Sequence, residues 1–185
     1  MLRRTSDRAG DRVGGAYALT TFARVRPGLA DELEAYLAAL PRGAESPFAR
    51  LGGLHTARVQ LFRSLVHQGP KQRHTDVLQN AHLVFTSTID GALDPYLDAL
   101  ASLVGECDEW WGRCAGYPGR ADLAGFRAYV RSIRARPGLF QSAIPDASVA
   151  DVRSALAVRE QVIDFAVEAQ GLDAAALQAR FRSAF

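Results

Sequence analysis

The sequence predicts an α+β protein, an antiparallel sheet with helices on one face followed by a helical C-terminal extension. Three stretches rich in β-formers, Tyr17–Val25, Leu54–Phe62 and Ala81–Ile89, alternate as half-buried strands do. Two further stretches place apolar residues at helical spacing, one between the first and second strands and one after the third. The order strand, helix, strand, strand, helix suits a sheet covered on one side only.

Each element has a local reason. Along Tyr17–Val25 side chains alternate, so Tyr17, Leu19, Thr21, Ala23 and Val25 share one face while Thr20, Phe22 and Arg24 share the other. Arg26-Pro27-Gly28 ends the strand. The helix Leu29–Leu40 sets Leu29, Leu33, Tyr36, Leu37 and Leu40 on one side, with Asp31, Glu32 and Glu34 near its start, where the helix dipole favours acids. Pro41 and Gly43 stop it. In Leu54–Phe62, His55, Ala57, Val59 and Leu61 face one way and Thr56, Arg58, Gln60 and Phe62 the other. In Ala81–Ile89, Leu83, Phe85, Ser87 and Ile89 oppose His82, Val84, Thr86 and Thr88. The apolar sets pack on the helices. The set containing Thr20, Phe22, Arg24, Thr56, Arg58, Gln60, His82 and Thr86 is left open and needs a cover.

After the Asp90-Gly91 turn, Asp94 is an expected N-cap and Pro95 an expected first residue of the second long helix, which carries Tyr96, Leu97, Leu100, Leu103 and Val104. A short helix is expected from Gly125 to Pro137-Gly138, a fourth strand over Leu139–Ile144, a long helix capped by Ser148 with Asp151 three residues on, and a last helix over Leu172–Phe181. The order through the second long helix is most of a ferredoxin-like split βαβ unit. Residues 1–15 are expected to be a disordered basic tail, and residues 16–185 a single domain with a core at 16–106 and a mostly helical extension at 107–185.

At 185 residues, 48% hydrophobic and 23% charged, the chain can bury a core without disulfides or metals. Residues 1–12 hold Arg3, Arg4, Arg8 and Arg12 against Asp7 and Asp11. That segment accounts for the net charge of +2 and leaves a neutral body. A neutral body lacks the basic face that a nucleic-acid partner needs. No apolar run reaches membrane-spanning length and no apolar leader opens the chain, so no membrane partner and a cytoplasmic location are expected. Cys107 and Cys114 match no metal or redox spacing and read as reduced, buried thiols.

LTTFARVRPG, LHTARVQLF, LVFTSTIDG and WGRCAGYPG leading into FRAYVR resemble the dimeric α+β barrel group of ferredoxin-like proteins. They are nearest to uncharacterised bacterial proteins with His-x-Ala-Arg and Gly-Tyr-Pro-Gly motifs. The resemblance, over residues 16–165, implies a homodimer enclosing a pocket for a small-molecule substrate. It also implies an enzyme of bacterial specialised metabolism, carrying out cofactor-free cyclisation, isomerisation or oxygenation. Two alternatives stand beside it: a non-catalytic ligand-binding or dimeric interaction module, and a haem-binding peroxidase-like protein. Dye-decolourising peroxidases carry Gly-x-x-Asp-Gly and a late proximal histidine. Here Ser87 stands in place of the first glycine and no histidine follows His82.

The residues that could carry chemistry follow from this layout. His82 and Arg58 share the open face, His82 as acid or base near neutral pH and Arg58 as a partner for a carboxylate or enolate. His55 has the opposite parity unless a bulge follows Gly52-Gly53, and stands at the pocket rim. Asp90, freed from capping by Asp94, is a further substrate-binding candidate, against the plain reading of a turn aspartate. Trp110, Trp111 and Tyr117 form an aromatic segment that serves either as a lid over a ligand or as simple core or dimer packing. His67, Lys71, Arg73 and His74 read as a solvated loop. None of the four histidines has a metal-site spacing, so no metal is expected.

Overall fold

A computed structural model describes residues 9–67, 69–74 and 78–185, and the chain divides into two compact units, Met1–Asp146 and Ala147–Phe185. The first unit is α+β, as expected. Its strands are β1 (Arg12–Val13), β2 (Ala16–Arg24), β3 (Leu54–Phe62), β4 (His82–Asp90) and β5 (Arg134–Ala135). They form one antiparallel sheet in which β4 lies between β2 and β3, while β1 and β5 both pair with the outer edge of β2. Helices α1 (Ala30–Ala39), α2 (Leu93–Leu103), α3 (Cys107–Trp110) and α4 (Leu123–Ser132) complete the unit.

The alternation read from the sequence sets the faces. Tyr17, Leu19, Thr21 and Ala23 of β2 and Leu83, Phe85, Ser87 and Ile89 of β4 are all buried. They pack on Leu33 of α1, Leu97 and Leu100 of α2, and Phe126 and Val130 of α4. Burying each such large apolar side chain contributes about 1.5–3 kcal/mol. On the opposite face Phe22 is 50% and Phe62 41% exposed, while Val84 and Ala16 are buried.

The centre of the core is aromatic. Trp110 and Trp111 are fully buried with ring centroids 6.2 Å apart; Phe85 meets Trp111 edge-on at 5.3 Å, and Phe48 lies 5.5 Å from Trp110. The lid reading of the two tryptophans is therefore corrected to the core alternative. A lid must leave a flat face open to a ligand, whereas these rings are enclosed by Phe48, Phe85, Phe126 and Tyr129. Cys107 and Cys114 are free thiols buried beside them.

Several boundaries move for physical reasons. The N-cap of α2 is Ala92, not Asp94: buried Leu93 is drawn into the first helical position, and Asp94 turns to an ion pair with Arg131. Helix α4 begins at Leu123 because Asp122 caps it, accepting from the Gly125 N–H at 2.9 Å; a Cβ at Gly125 would lie 2.2 Å from that carboxylate. Leu139–Ile144 is not a strand; the edge position beside β2 belongs to Arg134–Ala135. The chain after β5 instead brings the Pro145 carbonyl to the Gly15 N–H at 2.8 Å, against Gly14, which has φ +57° and no room for a Cβ.

The expected tail is also corrected where it is described. Residues 9–15 belong to the fold, and those before residue 9 lie outside the described residues. Asp11 and Arg134 are buried with side-chain exposures of 3% and 5%, 3.6 Å apart. Arg134 also donates to the Tyr17 hydroxyl at 2.5 Å, while Arg12 lies over the Tyr17 ring. A buried arginine needs such partners. Other arginines meet acids at the surface, Arg113 with Glu32 and Glu109, and Arg63 with Asp31 and Glu34.

The second unit is a helical hairpin, α5 (Val149–Glu168) and α6 (Ala174–Ala184). The expected capping box is present: the Asp151 N–H donates to Ser148 Oγ at 3.1 Å and the Ser148 N–H to Asp151 at 2.9 Å. The two helices meet through Phe165, whose ring is 5.7 Å from both Phe181 and Phe185. Among the described residues, no helix is long and apolar enough to cross a membrane.

Candidate functional site

The site is built at the end of the sheet where β3 begins and β4 ends. Gly53 precedes β3, and its carbonyl accepts from the Asp90 N–H at 2.8 Å, which fixes the two chain ends side by side. The pairing then slips. Leu54 lies opposite Ile89 and Thr56 opposite Thr88, so His55 is an extra residue on the β3 side. A bulge of this kind bends the strand and re-aims one side chain. His55 Nε2 comes to 2.7 Å from Asp90 Oδ1, with the two side chains 24% and 26% exposed.

A carboxylate only accepts, so Nε2 carries the proton that joins the pair. In the neutral ring Nδ1 is then the lone-pair nitrogen, and it has no hydrogen-bond partner among the described residues. This is the arrangement of a histidine whose tautomer is fixed by an acid and whose second nitrogen is free to take a proton.

Asp90 also lines a cavity of about 380 Å³ between the β4 end and α2, walled by Leu51, Leu54, Ile89, Tyr96, Ala99 and Leu103. That volume falls at the small end of ligand pockets, and apolar walls with few polar groups are typical of them. Gly91 closes the turn below with φ +79°, a conformation that side chains rarely adopt. Its carbonyl accepts from Arg12 at 2.6 Å and its N–H donates to Gly15 at 3.0 Å, so the N-terminal segment braces the floor. Tyr96 presents its ring to the cavity. Its hydroxyl is buried beside Ser87, and that burial pushes the phenol pKa upward.

The other expected site residues are dispersed. His82 and Arg58 do share the open face, but His82 pairs in register with Phe62 and Arg24, and Arg58 with Thr86, four rungs along. At about 3.3 Å per residue they are roughly 13 Å apart along the strand, too far for joint action on one atom. His82 also stands at the opposite end of β4 from Asp90. Tyr117 is half-buried, its hydroxyl donating to Asp108 at 2.6 Å and its ring against Tyr129. His67, Lys71, Arg73 and His74 are exposed in the β3–β4 connection. Arg58, together with Arg42, lines a separate groove of about 320 Å³ beside α1. Among the described residues no group of His, Cys, Asp and Glu could hold a metal ion.

Leu51, Tyr96 and Ala99 were not legible as site residues. The Gly52-Gly53 pair before a strand was the one signal of the bulge. No family model, curated protein or solved structure matches the chain.

Proposed function

We propose that this chain is a ferredoxin-like small-molecule enzyme that moves a proton without a cofactor, with His55 as base and Asp90 as its orienting partner. The observation that carries the proposal is the 2.7 Å contact of His55 with Asp90, which itself lines an apolar cavity. The ferredoxin-like reading draws support from the strand order, with the third long strand between the first two and a short fourth beside the first.

In the proposed step, His55 Nδ1 takes a proton from an acidic C–H or O–H of a substrate whose apolar body fills the cavity. Asp90 stabilises the imidazolium that forms, and the proton returns to a different substrate atom. The net change is an isomerisation or cyclisation in which no electrons leave the substrate. The chemistry expected of His82 and Arg58 passes to this pair, because the register keeps those two apart.

Incubation of the protein in D2O with a panel of small apolar ketones and enones tests the proposal, with deuterium uptake beside the carbonyl followed by NMR. Uptake that His55→Gln abolishes supports it. Binding without uptake, unchanged by His55→Gln, would instead make the chain a ligand-binding module.

A further inference from the structure

We propose that α5 is a self-association surface, pairing antiparallel with α5 of a second copy of this chain. The helix has two apolar sides. Phe165 faces α6, where it meets Phe181 and Phe185. Val152, Leu156, Ile163 and Val167 recur at spacings of four, seven and four, which places them on a second stripe. At 3.6 residues per turn Phe165 lies about 200° around the helix from both Ile163 and Val167, so α6 cannot cover that stripe. Leu156 and Ile163 are each 47% exposed and Val167 64%. Nine exposed large apolar side chains fall between Leu156 and Phe185, far more than a two-helix unit needs on its wet side.

The charges beside the stripe select the occupant. Arg153 follows Val152 and Asp164 follows Ile163, so both border the same flank, and neither has an ion-pair partner among the described residues. A two-fold axis passing between Arg159 and Glu160 sets Leu156 level with Ile163 of the second copy and Val152 level with Val167. It also brings Arg153 within two residues of Asp164 of the second copy. About two residues of helix is 3 Å, within reach of an arginine. A two-fold operation keeps the same flanks together, so the Arg153–Asp164 contact forms twice. A partner of one charge sign would satisfy only half of this pattern.

Sedimentation of the full chain, with circular dichroism as the check on folding, tests the inference. Wild type is expected to dimerise and Leu156→Glu to be monomeric. Arg153→Asp and Asp164→Arg should each weaken the dimer roughly tenfold. Their equimolar mixture should recover it, because in the mixed pair every new charge again faces its opposite. A monomeric wild type overturns the inference. So does a dimer that Leu156→Glu leaves intact, which would place the contact on another surface such as the open sheet face. Single variants whose mixture does not recover overturn the antiparallel register.

Discussion

His55 and Asp90 stand 35 positions apart in the chain, yet their side chains meet at 2.7 Å because a bulge at the start of β3 moves His55 out of the alternation of its strand. The contact sits at the rim of the fold, with both groups about three-quarters covered. A pair at the rim that still reaches solvent is worth about 1 kcal/mol to stability. Asp90→Asn should therefore shift the urea midpoint only slightly while removing the deuterium uptake expected of the wild type. Equal loss of fold and function would mean that the pair is a structural tie.

Trp111→Ala should destabilise the protein by about 3–5 kcal/mol, the range for truncating a large core aromatic. Trp111 is enclosed by Phe85, Tyr117, Phe126 and Tyr129, so the space cannot collapse cheaply. Chemical denaturation measures this directly. A change below about 1 kcal/mol would restore the lid reading.

Asp11→Ala should cost about 1–3 kcal/mol, because it removes one acid partner of the buried Arg134 guanidinium, which also donates to Tyr17. Replacing both members, Asp11→Leu with Arg134→Met, should recover most of that loss. Equal destabilisation by the single and double variants in thermal unfolding would show that the charge pairing itself contributes nothing.

Strand parity was plain, because Leu19, Leu83 and Phe85 alternate with Thr20, Val84 and Thr86 and only one set can face a core. The long helix at Ser148 was equally plain, since its cap is local chemistry. The buried role of Asp11 was hidden, because its partner lies more than a hundred residues later. The Trp110-Trp111 pair reads the same from sequence whether it covers a ligand or fills a core. His82 and Arg58 share a face but not a rung, while His55 and Asp90 differ in parity and are united by a bulge that alternation alone does not reveal.

Alkaline pH should weaken the fold. Burial pushes the Cys114 thiol up to about 12, with Arg26 drawing it partly back, and raises the Cys107 thiol and the Tyr96 and Tyr129 phenols. A thiol whose folded pKa exceeds its ordinary value of 9.0 binds its proton more tightly when folded. Its contribution is complete below about pH 9 and is lost as pH rises toward 12. The urea midpoint should hold steady to about pH 9 and then decline. Cys114→Ala should flatten part of that decline, whereas an unchanged slope would assign it to the other groups.

In the proposed mechanism Asp90 fixes the proton on His55 Nε2 and leaves Nδ1 as the base. Long-range ¹H–¹⁵N NMR of the imidazole rings tests it most directly. The Nε2–H form is expected for His55 in the wild type and a mixture of tautomers in Asp90→Asn. A His55 ring protonated on Nδ1, or a spectrum that Asp90→Asn does not alter, would contradict it.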